Sequence, residues 1–135
     1  MQKKIFLDAN VIIALFKGNN NVAKKAYEII NDAEIQIVCS DALWLELMPK
    51  AIYNKNIEEK EFYQTIFDQS EYITWDTEVL ENSKTIAQTY GIAALDAIHI
   101  ATALSVNVEK FYTAEKNTKP MFRVSEINVV SLLNS

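Results

Sequence analysis

Cysteine occurs once in this chain of 135 residues, histidine once, and glycine and proline twice each. The lone Cys39 rules out an internal disulfide and a multi-cysteine metal site. It sits in Ile35-Gln-Ile-Val-Cys39, a run that reads as a buried strand, so a core thiol is expected. So few glycines and prolines leave little room for long irregular segments. No Ser- or Pro-rich linker, internal repeat or low-complexity tract divides the chain. One domain over residues 1–135 is expected, of a size that buries roughly two thirds of its unfolded surface. No stretch approaches the roughly 20 apolar residues that span a bilayer. The apolar run behind Met1-Gln-Lys-Lys4 is interrupted at once by Asp8 and Asn10, unlike a signal peptide. A soluble cytoplasmic protein with no membrane contact is the expectation. Positive charge is also in deficit, with 13 Lys and Arg against 18 Asp and Glu for a net charge of −5. The overall basic field that grips nucleic-acid phosphates is therefore absent.

What the chain does contain is acids in apolar settings. Asp96 is the only carboxylate between Thr85 and Val108, inside Gly91-Ile-Ala-Ala-Leu-Asp-Ala-Ile-His-Ile-Ala-Thr-Ala-Leu104. Asp8 separates Lys4-Ile-Phe-Leu7 from Val11-Ile-Ile-Ala-Leu-Phe16, and Glu46 lies within Ala42-Leu-Trp-Leu-Glu-Leu-Met48. An ionised carboxylate in such surroundings carries a desolvation penalty unless a cation or hydrogen-bond donors stand beside it. Three of them, far apart in sequence, suggest one shared site for a hard cation. Each also has a local reading: Asp8 as a helix cap, Asp96 as a first-turn acid favoured by the helix dipole, and Glu46 as an i,i+4 partner of Lys50.

Continuously apolar runs at Lys4–Leu7, Ile35–Cys39, Tyr72–Trp75, Lys110–Thr113 and Asn128–Leu132 read as strands. Helical spacing fills the intervals. Asn10 to Leu15 is one helix, and Val22, Ala26, Tyr27 and Ile30 mark the apolar face of the next. Ser40 or Asp41 caps the helix bearing Glu46, which Pro49 should end or kink. Ile57–Gln69, the segment from Asp76 through Ala87, and the Asp96 segment supply the rest. Strands alternating with helices predict a three-layer α/β/α fold around a central, mostly parallel sheet of four to five strands. Such sheets gather ligands at the carboxyl ends of their strands. Asp8 ends the first strand, Glu115 lies two residues beyond the fourth, and Glu46 and Asp96 sit near helix starts that reach the same edge. Glu115 lies in the polar run Thr113-Ala-Glu-Lys-Asn-Thr-Lys119, where a solvated loop acid is the alternative.

Four converging carboxylates repel one another, and a divalent cation removes the conflict. Oxygen donors without a Cys or His set favour Mg²⁺ or Mn²⁺. One or two such ions suit phosphodiester hydrolysis. His99, one turn after Asp96, is expected to be packed and hydrogen-bonded rather than to shuttle protons. Trp44, Trp75 and Phe111 are expected in the core. If a phosphodiester polymer is the substrate, its phosphates would meet Lys17, Lys50, Lys116, Lys119 and Arg123, with solvated surface cations as the alternative. Between Glu58 and Glu81, Lys60 alone balances eight acids, a solvated face or a landing surface for a basic partner.

Phe6-Leu-Asp-Ala-Asn-Val-Ile12, Ser40-Asp-Ala-Leu-Trp-Leu-Glu46, the Gly91–Ala103 segment and Tyr112-Thr-Ala-Glu115 resemble the successive signatures of the PIN-domain nucleases. More narrowly, they are similar to the small VapC-type toxins of toxin–antitoxin pairs, over residues 4 to about 132. The resemblance implies that Asp8, Glu46 and Asp96 bind metal. Glu115 stands where the family has its fourth acid, and its longer side chain can act through water. Asn10 and Thr113 would orient carboxylates and water, and Ser40 matches a family position while also serving as a helix cap. A metal-dependent ribonuclease, a cognate antitoxin partner and homodimerisation are implied with it. Two other readings remain: a non-catalytic interaction module of the same fold, and a Mg²⁺-dependent phosphoacceptor signalling domain. The latter expects an acidic pair by the first strand, where this chain has Ala9 and Asn10.

Overall fold

Every apolar run singled out in the sequence becomes a strand, and all five pair in parallel. The computed structural model describes residues 2–133. The strands are β1 (Lys3–Leu7), β2 (Ile35–Ser40), β3 (Glu71–Ile73), β4 (Lys110–Thr113) and β5 (Asn128–Ser131). The helices are α1 (Ala9–Lys17), α2 (Asn21–Ile30), α3 (Asp41–Tyr53), α4 (Ile57–Gln69), α5 (Thr77–Tyr90) and α6 (Ala94–Ser105), with a 3₁₀ turn at Pro120–Arg123. The sheet order is β3-β2-β1-β4-β5, and helices cover it in the expected three-layer arrangement. Among the described residues, no helix is long and apolar enough to cross a membrane.

The order places β1 at the centre, with the chain moving outward to β2 and β3 on one side and to β4 and β5 on the other. The switch of direction therefore falls between β1 and β4, the place where open α/β sheets form ligand crevices. Phe6 pairs in register with Phe111 across that boundary. Their rings stack at 4.9 Å between centroids, and both side chains are fully buried. Cys39 is buried and free, and its burial pushes the thiol up to about 12, the inert core thiol its setting suggested.

Four local expectations are corrected. Of the two outcomes expected at Pro49, an end or a kink, the end is not found: α3 continues to Tyr53. The carbonyl deprived of a donor belongs to Leu45, which is exposed, so water can take the bond. Trp75 is not in the core but 53% exposed, because β3 stops at Ile73. Beyond it the Asp41 carboxylate accepts hydrogen bonds from the Trp75 N–H and the Tyr72 hydroxyl, both at 2.6 Å. Tyr27 is likewise exposed, since five residues carry it about 140° around the helix from Val22. Finally, β3 and β5 are shifted or shortened at their ends. Trp44 packs on the core and Phe111 lies within it, as expected.

Removing one ring of the Phe6–Phe111 stack leaves a cavity beneath the switch point. Phe111→Ala is expected to cost about 3–5 kcal/mol, seen as a lower urea midpoint at unchanged slope.

Candidate metal centre

Asp8 stands at the carboxyl end of β1 and caps α1. Only 6% of it is exposed, and both its carboxylate oxygens are held. Oδ1 accepts the Ala9 N–H at 2.9 Å, and Oδ2 accepts the Thr113 hydroxyl at 2.9 Å. The capping role and membership of a cluster thus coexist. Thr113 Oγ1 in turn accepts from the Glu115 N–H at 3.2 Å and from Asn10 Nδ2 at 3.4 Å. Asn10 Oδ1 accepts the Ala114 N–H at 2.9 Å. The start of α1 is therefore stapled to the turn after β4, with every lone pair and proton of the Thr113 hydroxyl engaged.

Glu46 projects from the second turn of α3 and meets His99 of α6: its Oε1 and the His99 Nε2 are hydrogen-bonded. It does not pair with Lys50 among the described residues. His99 is 1% exposed, with its ring centroid 5.3 Å from that of Phe6 and its Nδ1 buried without a partner. Potential ligand atoms of Asp8, Glu46 and His99 all lie within 4.8 Å of one another. His99 is packed and hydrogen-bonded as expected, but it also belongs to this group. The available clue was its position three residues after Asp96 on the same helix.

Asp96 and Glu115 stand outside that tight trio yet share its field. Burial raises the Asp8 carboxyl above its ordinary value, opposed by His99 and the Thr113 hydrogen bond and reinforced by Asp96. Burial likewise raises Asp96, with Glu115 and Glu46 adding to the effect and His99 and Lys119 opposing it. Glu115 is half-buried, its backbone fixed by the Thr113 hydroxyl and by Ser131, whose hydroxyl donates to its carbonyl at 2.6 Å.

The remaining residues singled out in the sequence fall in four groups. Ser40 is buried and caps α3, accepting the Leu43 N–H at 3.2 Å. Lys119 lies within electrostatic reach of Asp96, and Lys116 is exposed in the same turn. Lys17 and Lys50 line a pocket that also includes Glu46. Arg123 donates from Nη1 to the Tyr90 carbonyl at 2.9 Å, tying the 3₁₀ turn to the end of α5. Its guanidinium serves the fold at that point.

The donor set suits a hard divalent cation. Among the described residues no Lys or Arg forms an ion pair with Asp8, Asp96 or Glu115. The imidazole Nε2 is bonded to Glu46, and most of the remaining potential ligand atoms are carboxylate oxygens. Oxygen-rich sites of this kind select Mg²⁺ or Mn²⁺ over softer metals.

The family model described as "PIN domain" matches residues 5–124. Solved structures share the whole fold. One is a toxin–antitoxin complex from Klebsiella pneumoniae, 26% identical with a TM-score of 0.72, covering 95% of this chain and 97% of that one. Another is VapBC-1 from nontypeable Haemophilus influenzae, at 20% identity, TM-score 0.71, and coverage of 97% and 99%. A third is DNA-bound VapBC from Salmonella typhimurium, at 18%, 0.67, 98% and 99%. The last two, at their lower identities, bear on the fold alone. Among curated proteins no significant match was found.

The raised carboxyls make a signed prediction. A folded-state value above the unfolded one means that the folded chain holds its proton longer. That stabilisation is complete below the ordinary carboxylate range and is lost as pH rises through the raised value. Near neutral pH, metal-free Asp96 therefore destabilises the fold. Asp96→Asn should raise the metal-free melting temperature at neutral pH. Because Asp96 is half exposed, solvent screening holds the gain to about 1 kcal/mol or less. The gain should disappear on acidification and reverse when Mn²⁺ is added. Identical melting curves at every pH would mean that the acids do not conflict.

Proposed function

This chain belongs to the PIN domain family, and from that premise we propose that it is a Mg²⁺- or Mn²⁺-dependent ribonuclease, the toxin of a toxin–antitoxin pair. The observation that carries the proposal is the convergence of Asp8, Glu46 and His99 within 4.8 Å, with Asp96 in the same field and, among the described residues, no Lys or Arg ion-paired to these acids. The Klebsiella structure is of a toxin–antitoxin complex, which supports a cognate antitoxin as partner. RNA is the substrate, a homodimer is the working form, and residues 1–135 act as one domain in the cytoplasm.

Asp8, Glu46 and Asp96 would hold the cation, with Glu115 at the rim. Bound there, Mg²⁺ or Mn²⁺ supplies electrostatic stabilisation of phosphate oxygens and a more acidic water. The chain's own groups prepare the site. The Ala9 N–H and Thr113 hydroxyl fix both oxygens of Asp8, so that this carboxylate need not reorganise when charge arrives. His99 orients Glu46 from the buried side, and with Phe6 it keeps water away from the rear of the pocket. Lys119, with Lys116 in the same turn, meets the phosphates of the approaching strand. Since net charge is −5, RNA binding rests on a few local cations and falls steeply with salt.

Asp8→Asn and Asp96→Asn should each abolish cleavage while circular dichroism remains native. Thr113→Val, which loses only the orienting hydroxyl, should lower activity about 10–100-fold. The assay is total cellular RNA incubated with Mn²⁺: discrete fragments are expected, and they should vanish with a chelator. Undiminished cleavage by both Asp variants would overturn the proposal.

A further inference from the structure

A second pocket, of mixed polar and apolar lining, opens directly beside Glu46. It has a volume of about 230 Å³ and lies among α1, α3 and α4, with Lys17, Glu46, Lys50, Asn54, Glu59 and Tyr63 in its walls. Glu59 differs from its acidic neighbours on α4. Glu58 and Glu61 are exposed, whereas Glu59 is half-buried and pinned by the Tyr63 hydroxyl, which donates to Oε2 at 2.8 Å. Tyr63 itself is 1% exposed, so this carboxylate is set by a rigid buried anchor. Among the described residues neither Lys17 nor Lys50 is ion-paired, and Glu59 has no cation. One side of the pocket thus presents two free ammonium groups, and another presents a fixed carboxylate.

We propose that this pocket is a nucleotide subsite for the substrate RNA, holding a guanosine next to the cleaved bond. Lys17 and Lys50 take its phosphate, and Glu59 reads its base. The inference rests on the ribonuclease reading and deepens it. An acidic peptide would be repelled by Glu46 and Glu59, and a basic one by the two lysines. A nucleotide alone offers an anionic end and a donor-bearing edge on one small body. An ionised carboxylate only accepts hydrogen bonds. Guanine presents two adjacent donors, N1–H and the N2 amino group, while adenine and cytosine present one amino group each. Uracil flanks its single N–H with carbonyls that would face the carboxylate lone pairs. The Asn54 amide can donate to guanine O6.

The test has a binding arm and a cleavage arm. Calorimetric titration of the chelator-treated full chain with GMP, AMP, CMP and UMP should show GMP binding about tenfold more tightly than UMP. Glu59→Gln, which still accepts from Tyr63, should bring that ratio near one. The double variant Lys17→Ala/Lys50→Ala should weaken all four nucleotides alike. No GMP binding up to about 10 mM, equal binding of the four nucleotides, or a ratio unmoved by Glu59→Gln would overturn the subsite. In the cleavage arm, the bases flanking each cut should be enriched in guanine for the wild type and lose that bias in Glu59→Gln. Cleavage by both proteins with one base distribution would remove the subsite and leave the ribonuclease standing. Nucleotide selectivity without any cleavage would do the reverse.

Discussion

Negative groups gathered at one edge of a parallel sheet, with Asp8 buried among them, repel one another, and the architecture is arranged around that conflict. The carboxyl end of β1 delivers Asp8 to the switch point, α3 swings Glu46 across from the next strand, and α6 supplies Asp96 and His99. None of the three aspartate and glutamate carboxylates finds a lysine or arginine at ion-pair distance among the described residues. Asp8 is instead tethered by a backbone N–H and a threonine hydroxyl, and Glu46 by an imidazole. The two neutral donors on Asp8 hold its geometry without cancelling its charge. A site built this way keeps its negative potential available to a cation.

Rigidity comes from how central the supporting elements are. Asp8 follows the middle strand, and its tether Thr113 ends the neighbouring one. The Phe6–Phe111 stack lies under both, and His99 rests against Phe6. Functional groups mounted on packed strands and helices are held more tightly than groups on loops. Lys116, Lys119 and Glu115 sit on the segment that follows β4, whereas Lys17 and Lys50 ride on α1 and α3.

Much of this was legible in the amino-acid order, for identifiable reasons. Parallel strands buried on both faces leave uninterrupted apolar runs, so β1, β2 and β4 announce themselves, and an acid ending such a run is conspicuous. What stayed hidden depends on contacts between distant segments. His99 on an apolar helix looks like any core histidine until Glu46 is seen opposite it. Glu59 lies in a run of acids that reads as a solvated face, and only the buried Tyr63 one turn later singles it out. Trp75 reads as core because aromatics next to a strand usually are, but a strand that ends two residues early leaves it outside. Pro49 carries a strong local stop signal, which the packing of α3 against its neighbours overrides.

The bond between Asp8 and Thr113 joins residues 105 positions apart, and the strands beside it pair only after most of the chain exists. A polypeptide emerging from the ribosome carries Asp8 from the outset but cannot close the constellation until the fourth strand has been synthesised. Long-range parallel pairing is also among the slower folding steps. The acid cluster is thus completed late in synthesis, once β4 can pair with β1.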